Sequence, residues 1–163
     1  MVNGIVSAIV VVFFVAHSIL GGLESVTPLR SSAPWIIWIG VGAIVVHIAV
    51  SAVTSYEQLT DAEFPPSKRK KQHLALKWAT GGVLAALAIA HIATTMLYGP
   101  DAVQASFAFS ALVLMLVAAL TIHMWVGAKS LVVDLGLSKS LILPFRVIVC
   151  LVAVVVAMCI VLG

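Results

Sequence analysis

Charge is what this chain has least of. Of its 163 residues, 9% are Asp, Glu, Lys or Arg and 63% are hydrophobic, with a mean hydropathy of +1.21. So few charges cannot cover a water-soluble surface, and a soluble core of this size has no use for so much apolar sequence. Carboxylates are scarcest. All six, Glu24, Glu57, Asp61, Glu63, Asp101 and Asp134, stand at the ends of apolar segments or between them. No carboxylate relay is visible at mid-membrane, which disfavours a pump or secondary transporter. Matched Gly/Pro breaks are not evident either, since packing accounts for Gly40/Gly42 and Gly81/Gly82. The two cysteines, Cys150 and Cys159, lie nine residues apart in one apolar segment, on opposite helix faces, and cannot readily bridge. There is no cysteine cluster for iron–sulfur, no Gly-rich phosphate loop and no nucleophile triad. Chemistry on a soluble metabolite therefore belongs to a partner.

Membrane-length apolar sequence is abundant. A spanning helix takes about 20 mainly apolar residues, and five segments qualify, at roughly 3–23, 34–56, 74–97, 104–127 and 141–162. Long runs such as Ile36 to Val53 lack the period-two alternation of a barrel strand. The expected fold class is an all-α membrane protein, a single domain over 1–163 with five transmembrane helices. The first segment has no preceding Lys or Arg and no convincing small-residue cleavage site before Leu23-Glu24-Ser25, so it reads as a helix rather than a signal peptide. Lys68, Arg69, Lys70, Lys71, Lys77, Lys129, Lys139 and Arg146 fall on one side and only Arg30 on the other. The positive-inside rule then places the N-terminus inside and the C-terminus outside. The net charge of +3 is thus a topology signal and not a nucleic-acid footprint. The polar linker Glu57 to Gln72, with Pro65-Pro66 and the basic run, reads as a solvated loop leading to His73.

Four of the five histidines lie inside apolar segments, one per segment: His17, His47, His91 and His123. An imidazole in hydrocarbon is costly and needs a partner. Counting helical rise from the basic side puts His17 and His91 roughly 21 and 22 Å deep, and His47 and His123 roughly 13 and 9 Å deep. Two layers follow, each drawn from two helices that are not neighbours in sequence. Two stacked bis-histidine haems would need that arrangement. No Cys-x-x-Cys-His run is present, so such haems would be held without covalent attachment. One turn beyond the histidines stand Gly21, Ser51, Thr95 and Gly127, which leave room for the edge of a macrocycle and are equally normal at helix contacts. The competing roles for such histidines are helix-bridging hydrogen bonds or a proton path. A metal-ion site would need three or four ligands at one depth, and no His-x-x-x-His or neighbouring carboxylate is there to supply them.

Local sequence adds a resemblance. Lys77-Trp78-Ala79-Thr80-Gly81 is followed ten residues later by His91. Ile122-His123-Met124-Trp125-Val126-Gly127 runs into Ala128-Lys129, and His47 precedes a polar segment that ends in basic residues and His73. With ligands on the first four of five helices, this resembles the single-chain dihaem cytochrome b membrane anchor of succinate dehydrogenase/fumarate reductase. The likeness covers nearly the whole chain in topology and only these segments in residues. It implies a haem-binding four-helix bundle with a peripheral fifth helix and two b-type haems, with His17 and His91 ligating the outer haem and His47 and His123 the inner one. The implied partners are a flavoprotein subunit with the dicarboxylate site and an iron–sulfur subunit on the cytoplasmic face of a prokaryotic membrane. Electrons would pass between them and membrane quinone. Quinone or haem-propionate contacts would come from Glu24, Arg30, Ser31, His73, Tyr56, Trp78 or Arg146, although the aromatics serve equally as interfacial anchors. The basic run Lys68–Lys71 could dock a partner or anionic lipid. One departure is Thr121, where some dihaem members carry a glutamate two residues before the fourth ligand. The alternatives are a cytochrome b subunit of a hydrogenase or formate dehydrogenase, and a haem-free structural membrane subunit.

Overall fold

A computed structural model describes residues 2–27, 34–99 and 106–162. Among them the chain forms α1 (Val2–Val26), α2 (Pro34–Thr60), α3 (Lys68–Tyr98), α4 (Phe107–Asp134) and α5 (Ile142–Leu162), the last entered through a 3-10 turn at Lys139–Leu141. Five helices are long and apolar enough to cross a membrane, and no strand occurs among the described residues. A helix satisfies its own backbone polar groups, which hydrocarbon requires.

Two helices run well past the expected spans. α3 starts six residues early because Ser67 caps it, its hydroxyl accepting from the Lys70 N–H at 3.3 Å, just after Pro65-Pro66, which cannot continue a helix. The basic run is therefore helical, and His73 sits exposed on α3 rather than in a loop. α4 continues to Asp134 because its last turns still bury Ala128 and Val132. It closes on Gly136, whose φ of 72 suits glycine. The Gly136 N–H donates to Val133 O at 2.9 Å and the Leu137 N–H to Val132 O at 3.0 Å, the reciprocal pair of a Schellman end.

α1 packs against α2, α4 and α5, and α4 packs also against α3 and α5. The first four helices thus make a ring with α1 opposite α3 and α2 opposite α4. The seam between α2 and α3 is not closely packed along its length; the Trp78 indole N–H crosses it, donating to the buried Ser55 hydroxyl at 3.1 Å. α5 fills the outer groove between α1 and α4. At one end, Asn3 of α1 donates to the Asp134 carboxylate at 3.1 Å and accepts from Ser51 of α2 at 3.4 Å. Lys68–Lys71, Lys77, Lys129 and Arg146 lie toward this same basic end.

The buried apolar core is small: Val10, Leu84, Met124, Ala128, Val132, Val149 and Val156. Lipid tails are as apolar as Leu, so helices in a bilayer associate through close packing and polar contacts. Gly4 is one such contact: a Cβ there would lie 2.8 Å from the Asp134 carbonyl carbon. Arg146 of α5 is another, donating to Trp125 O through Nε at 3.2 Å and Nη2 at 3.1 Å while its guanidinium covers the Trp125 ring at 4.7 Å.

Gly4→Ala is expected to lose about 1–3 kcal/mol, because the methyl meets backbone that cannot swing aside. Gly82→Ala, whose Cβ would meet nothing within 4 Å, should gain about 0.5–1 kcal/mol from helix propensity. Equilibrium unfolding in mixed micelles checks both; equal effects would contradict this packing.

Candidate functional site: two histidine layers

Helical periodicity lines up the polar groups. Asn3, Ser7, Val10 and His17 share one face of α1; His47, Ser51 and Ser55 share one of α2. Lys77, Thr80, Gly81, Leu84 and His91 share one of α3; Phe109, His123, Ser130 and Asp134 share one of α4. The cross-helix bonds and ring contacts among these residues turn the four faces toward one another.

Toward the end opposite the basic one, the diagonal helices α1 and α3 bring His17 and His91 together, with ring centroids 6.5 Å apart and planes at 73°. Phe13 stacks on His17 at 6.2 Å and Phe109 on His91 at 5.3 Å, so aromatic faces flank both imidazoles. His17 is exposed and His91 half-buried. His91 Nδ1 is buried with no hydrogen-bond partner among the described residues. Such an orphan costs about 1–3 kcal/mol.

Nearer the basic end, hydroxyls hold the other two rings. Thr80 Oγ1 lies 3.0 Å from His123 Nδ1 and also 3.0 Å from Leu76 O and 3.1 Å from Lys77 O. A hydroxyl has one proton, and a carbonyl can only accept. The pattern that uses every group has Thr80 donating to its own helix and accepting from His123 Nδ1–H. Nε2 of His123 is then the unprotonated nitrogen, the form that ligates metals. Ser7 Oγ lies 3.3 Å from His47 Nδ1 in the same manner. Gly81 sits against the His123 ring, where a Cβ would be 3.1 Å from Cε1. His47 and Lys77 are both within electrostatic range of His123.

Thr80 marks the level of His123 on α3, eleven residues before His91, and Ser7 marks that of His47 on α1, ten before His17. Helical rise then separates the layers by about 15–17 Å. Among the described residues no three His, Cys, Asp or Glu side chains converge, and His17 and His91 make one close pair. Two metal–imidazole bonds of about 2 Å each would leave the ring centres about 6 Å apart. The 6.5 Å of His17/His91 and the Nδ1-bonded His123 fit a planar group held by one histidine from each side.

The remaining candidates are scattered. Glu24 is half-buried near the end of α1, within electrostatic range of His17; Arg30 and Ser31 lie outside the described residues. His73 and Tyr56 are exposed. Trp78 is engaged by Ser55, and Arg146 by Trp125. Gly21 and Gly127 face open space. Ser51 is tied to Asn3, and Thr95 Oγ1 donates to His91 O at 2.8 Å. Ser7, Phe13 and Phe109, not singled out in the sequence, make direct contact with the histidines, as does Thr80 of the Lys77–Gly81 stretch. Ser7 and Thr80 were detectable as polar residues three turns before a histidine on the same face.

No protein-family model, curated protein or solved structure matches this chain.

Thr80→Val keeps the shape and removes the acceptor for His123. It should cost about 0.5–1.5 kcal/mol. Thr94→Val, which gives up only a bond to Ala90 O in its own helix, should cost little. Unfolding in micelles compares them, and equal losses would contradict a cross-helix role for Thr80.

Proposed function

We propose that this chain is a dihaem cytochrome b of the membrane, passing electrons between a partner at its basic face and quinone in the bilayer. Its observational support is the diagonal pairing of histidines, clearest in the 6.5 Å approach of His17 and His91. His17 and His91 would hold one b-type haem; His47 and His123 would hold the other. Bound haem supplies one-electron chemistry, and the protein supplies ligation, orientation and an apolar surround.

Thr80 and Ser7 fix the inner rings, Thr80 by accepting at Nδ1 so that the opposite nitrogen is free to ligate. Bonds to the non-ligating nitrogen orient the ring and raise its basicity. Gly81 admits the His123 ring close to the α3 backbone. In the other layer Phe13 and Phe109 take the supporting role by stacking.

Lysines and arginines gather at one end, so that end is assigned to the cytoplasm, with the N-terminus inside and the C-terminus outside a prokaryotic membrane. The assignment suits an iron–sulfur subunit docked there with a flavoprotein behind it, as in the membrane anchor of a succinate dehydrogenase/fumarate reductase. The dicarboxylate site would lie wholly in the flavoprotein.

The test is a reduced-minus-oxidised spectrum, with haem counted per chain, for the wild type, His91→Ala and His123→Ala. The expected result is two b haems in the wild type and one in each variant, a different one lost each time. Thr80→Val should weaken only the inner site, by about 10–100-fold in affinity. Folded wild-type protein that takes up no haem would overturn the proposal.

A further inference from the structure

The outer layer takes histidines from α1 and α3 and a stacked ring from α4. What α2 brings to it is a glycine. Gly40 is buried and lies two turns before His47, on the face of α2 that His47 turns inward. A Cβ at Gly40 would overlap Phe13 Cε1 and lie 2.5 Å from Phe13 Cζ. The Phe13 ring therefore fills the space that any side chain at position 40 would need. Depth agrees with this seating, because Ser7 and His47 are level with each other. Phe13 stands about 9 Å beyond Ser7 on α1, and Gly40 about 10 Å from His47 on α2, which runs the opposite way. The notch is local: a Cβ at Gly42, two residues on, would meet nothing within 4 Å.

The ring seated there is the one beside His17. Phe13 precedes His17 by one turn, and the two planes lie within 9° of each other with centroids 6.2 Å apart. At the inner rings hydroxyls reach Nδ1; at His17 the orienting neighbour is this phenyl face. A phenyl ring is rigid and moves as a whole about χ1 and χ2. A methyl group at position 40 would push its far edge, and the face it offers His17 would turn with it.

We propose that Gly40 is a positioning residue of the outer layer: by seating Phe13 it fixes the plane of the His17 imidazole, which stands at 73° to that of His91. The inference rests on the haem assignment above. It gives α2, which supplies no outer histidine, a hold on the outer site. The angle between two axial imidazole planes governs the splitting of the iron d orbitals in a low-spin ferric haem. The orientation of His17 is therefore readable as the largest g value of that haem.

The experiment uses the full chain with His123→Ala, so that only the outer haem is read, and records the electron paramagnetic resonance of the oxidised protein with haem counted per chain. Gly40→Ala, Phe13→Leu, the two together, and Gly42→Ala are compared in that background. Gly40→Ala should keep both axial histidines and shift the largest g value downward with a broadened line. Phe13→Leu should do the same. Because Gly40 acts only through Phe13, the double variant should match Phe13→Leu, a non-additive cycle, and Gly42→Ala should match the parent. Leucine leaves room for the added methyl, so the double variant reports even where Gly40→Ala alone fails to fold. An unmoved signal in loaded Gly40→Ala or Phe13→Leu overturns the positioning role and leaves the histidine assignment standing. So does a double variant displaced from Phe13→Leu as far as Gly40→Ala is from the parent. No haem in the His123→Ala chain and in the wild type alike overturns both.

Discussion

Placing an imidazole in hydrocarbon is costly, and that cost organises this molecule. Each of four helices carries one such ring: across the bundle Ser7 meets His47, Thr80 meets His123 and His91 meets His17 and Phe109, while Phe13 of the same helix stacks on His17. These contacts turn one face of each helix inward, and so set the ring of four. α5 carries no histidine, and it packs outside on α1 and α4. Much of the outer surface is Val, Ile and Leu, with Trp, Tyr, Phe and Met among them, which suits lipid and contributes little to specificity.

The two layers are supported by different means. Hydroxyls and a nearby ammonium surround the inner pair, whereas Phe13 and Phe109 flank the outer one. Hydrogen bonding, charge and local dielectric tune a haem's potential. Two haems held as proposed would therefore sit in unlike surroundings. Asn3, joined to Asp134 and Ser51, and Gly4 against the α4 backbone brace the inner layer from below.

Much of this was legible in the sequence because bilayer thickness converts residue counts into depth. Five helices, their order and the association of His17 with His91 follow from apolar length and rise alone. Helix ends were harder. The Ser67 cap and the packing of Ala128 and Val132 carried α3 and α4 beyond the apolar runs, since helices need not stop where hydrocarbon does. The supporting contacts were least visible. Thr80 and Ser7 look like ordinary small polar residues until a face is drawn through them, and Gly81 looks like a packing interruption until His123 is set against it.

The most direct test of the central claim is the ligation state of the oxidised wild-type protein, read by low-temperature electron paramagnetic resonance and near-infrared magnetic circular dichroism on a sample with iron counted per chain. The account predicts two low-spin ferric haems per chain, both with bis-imidazole signatures. Folded protein without haem iron, or with a high-spin or single-histidine centre in place of either pair, would contradict it.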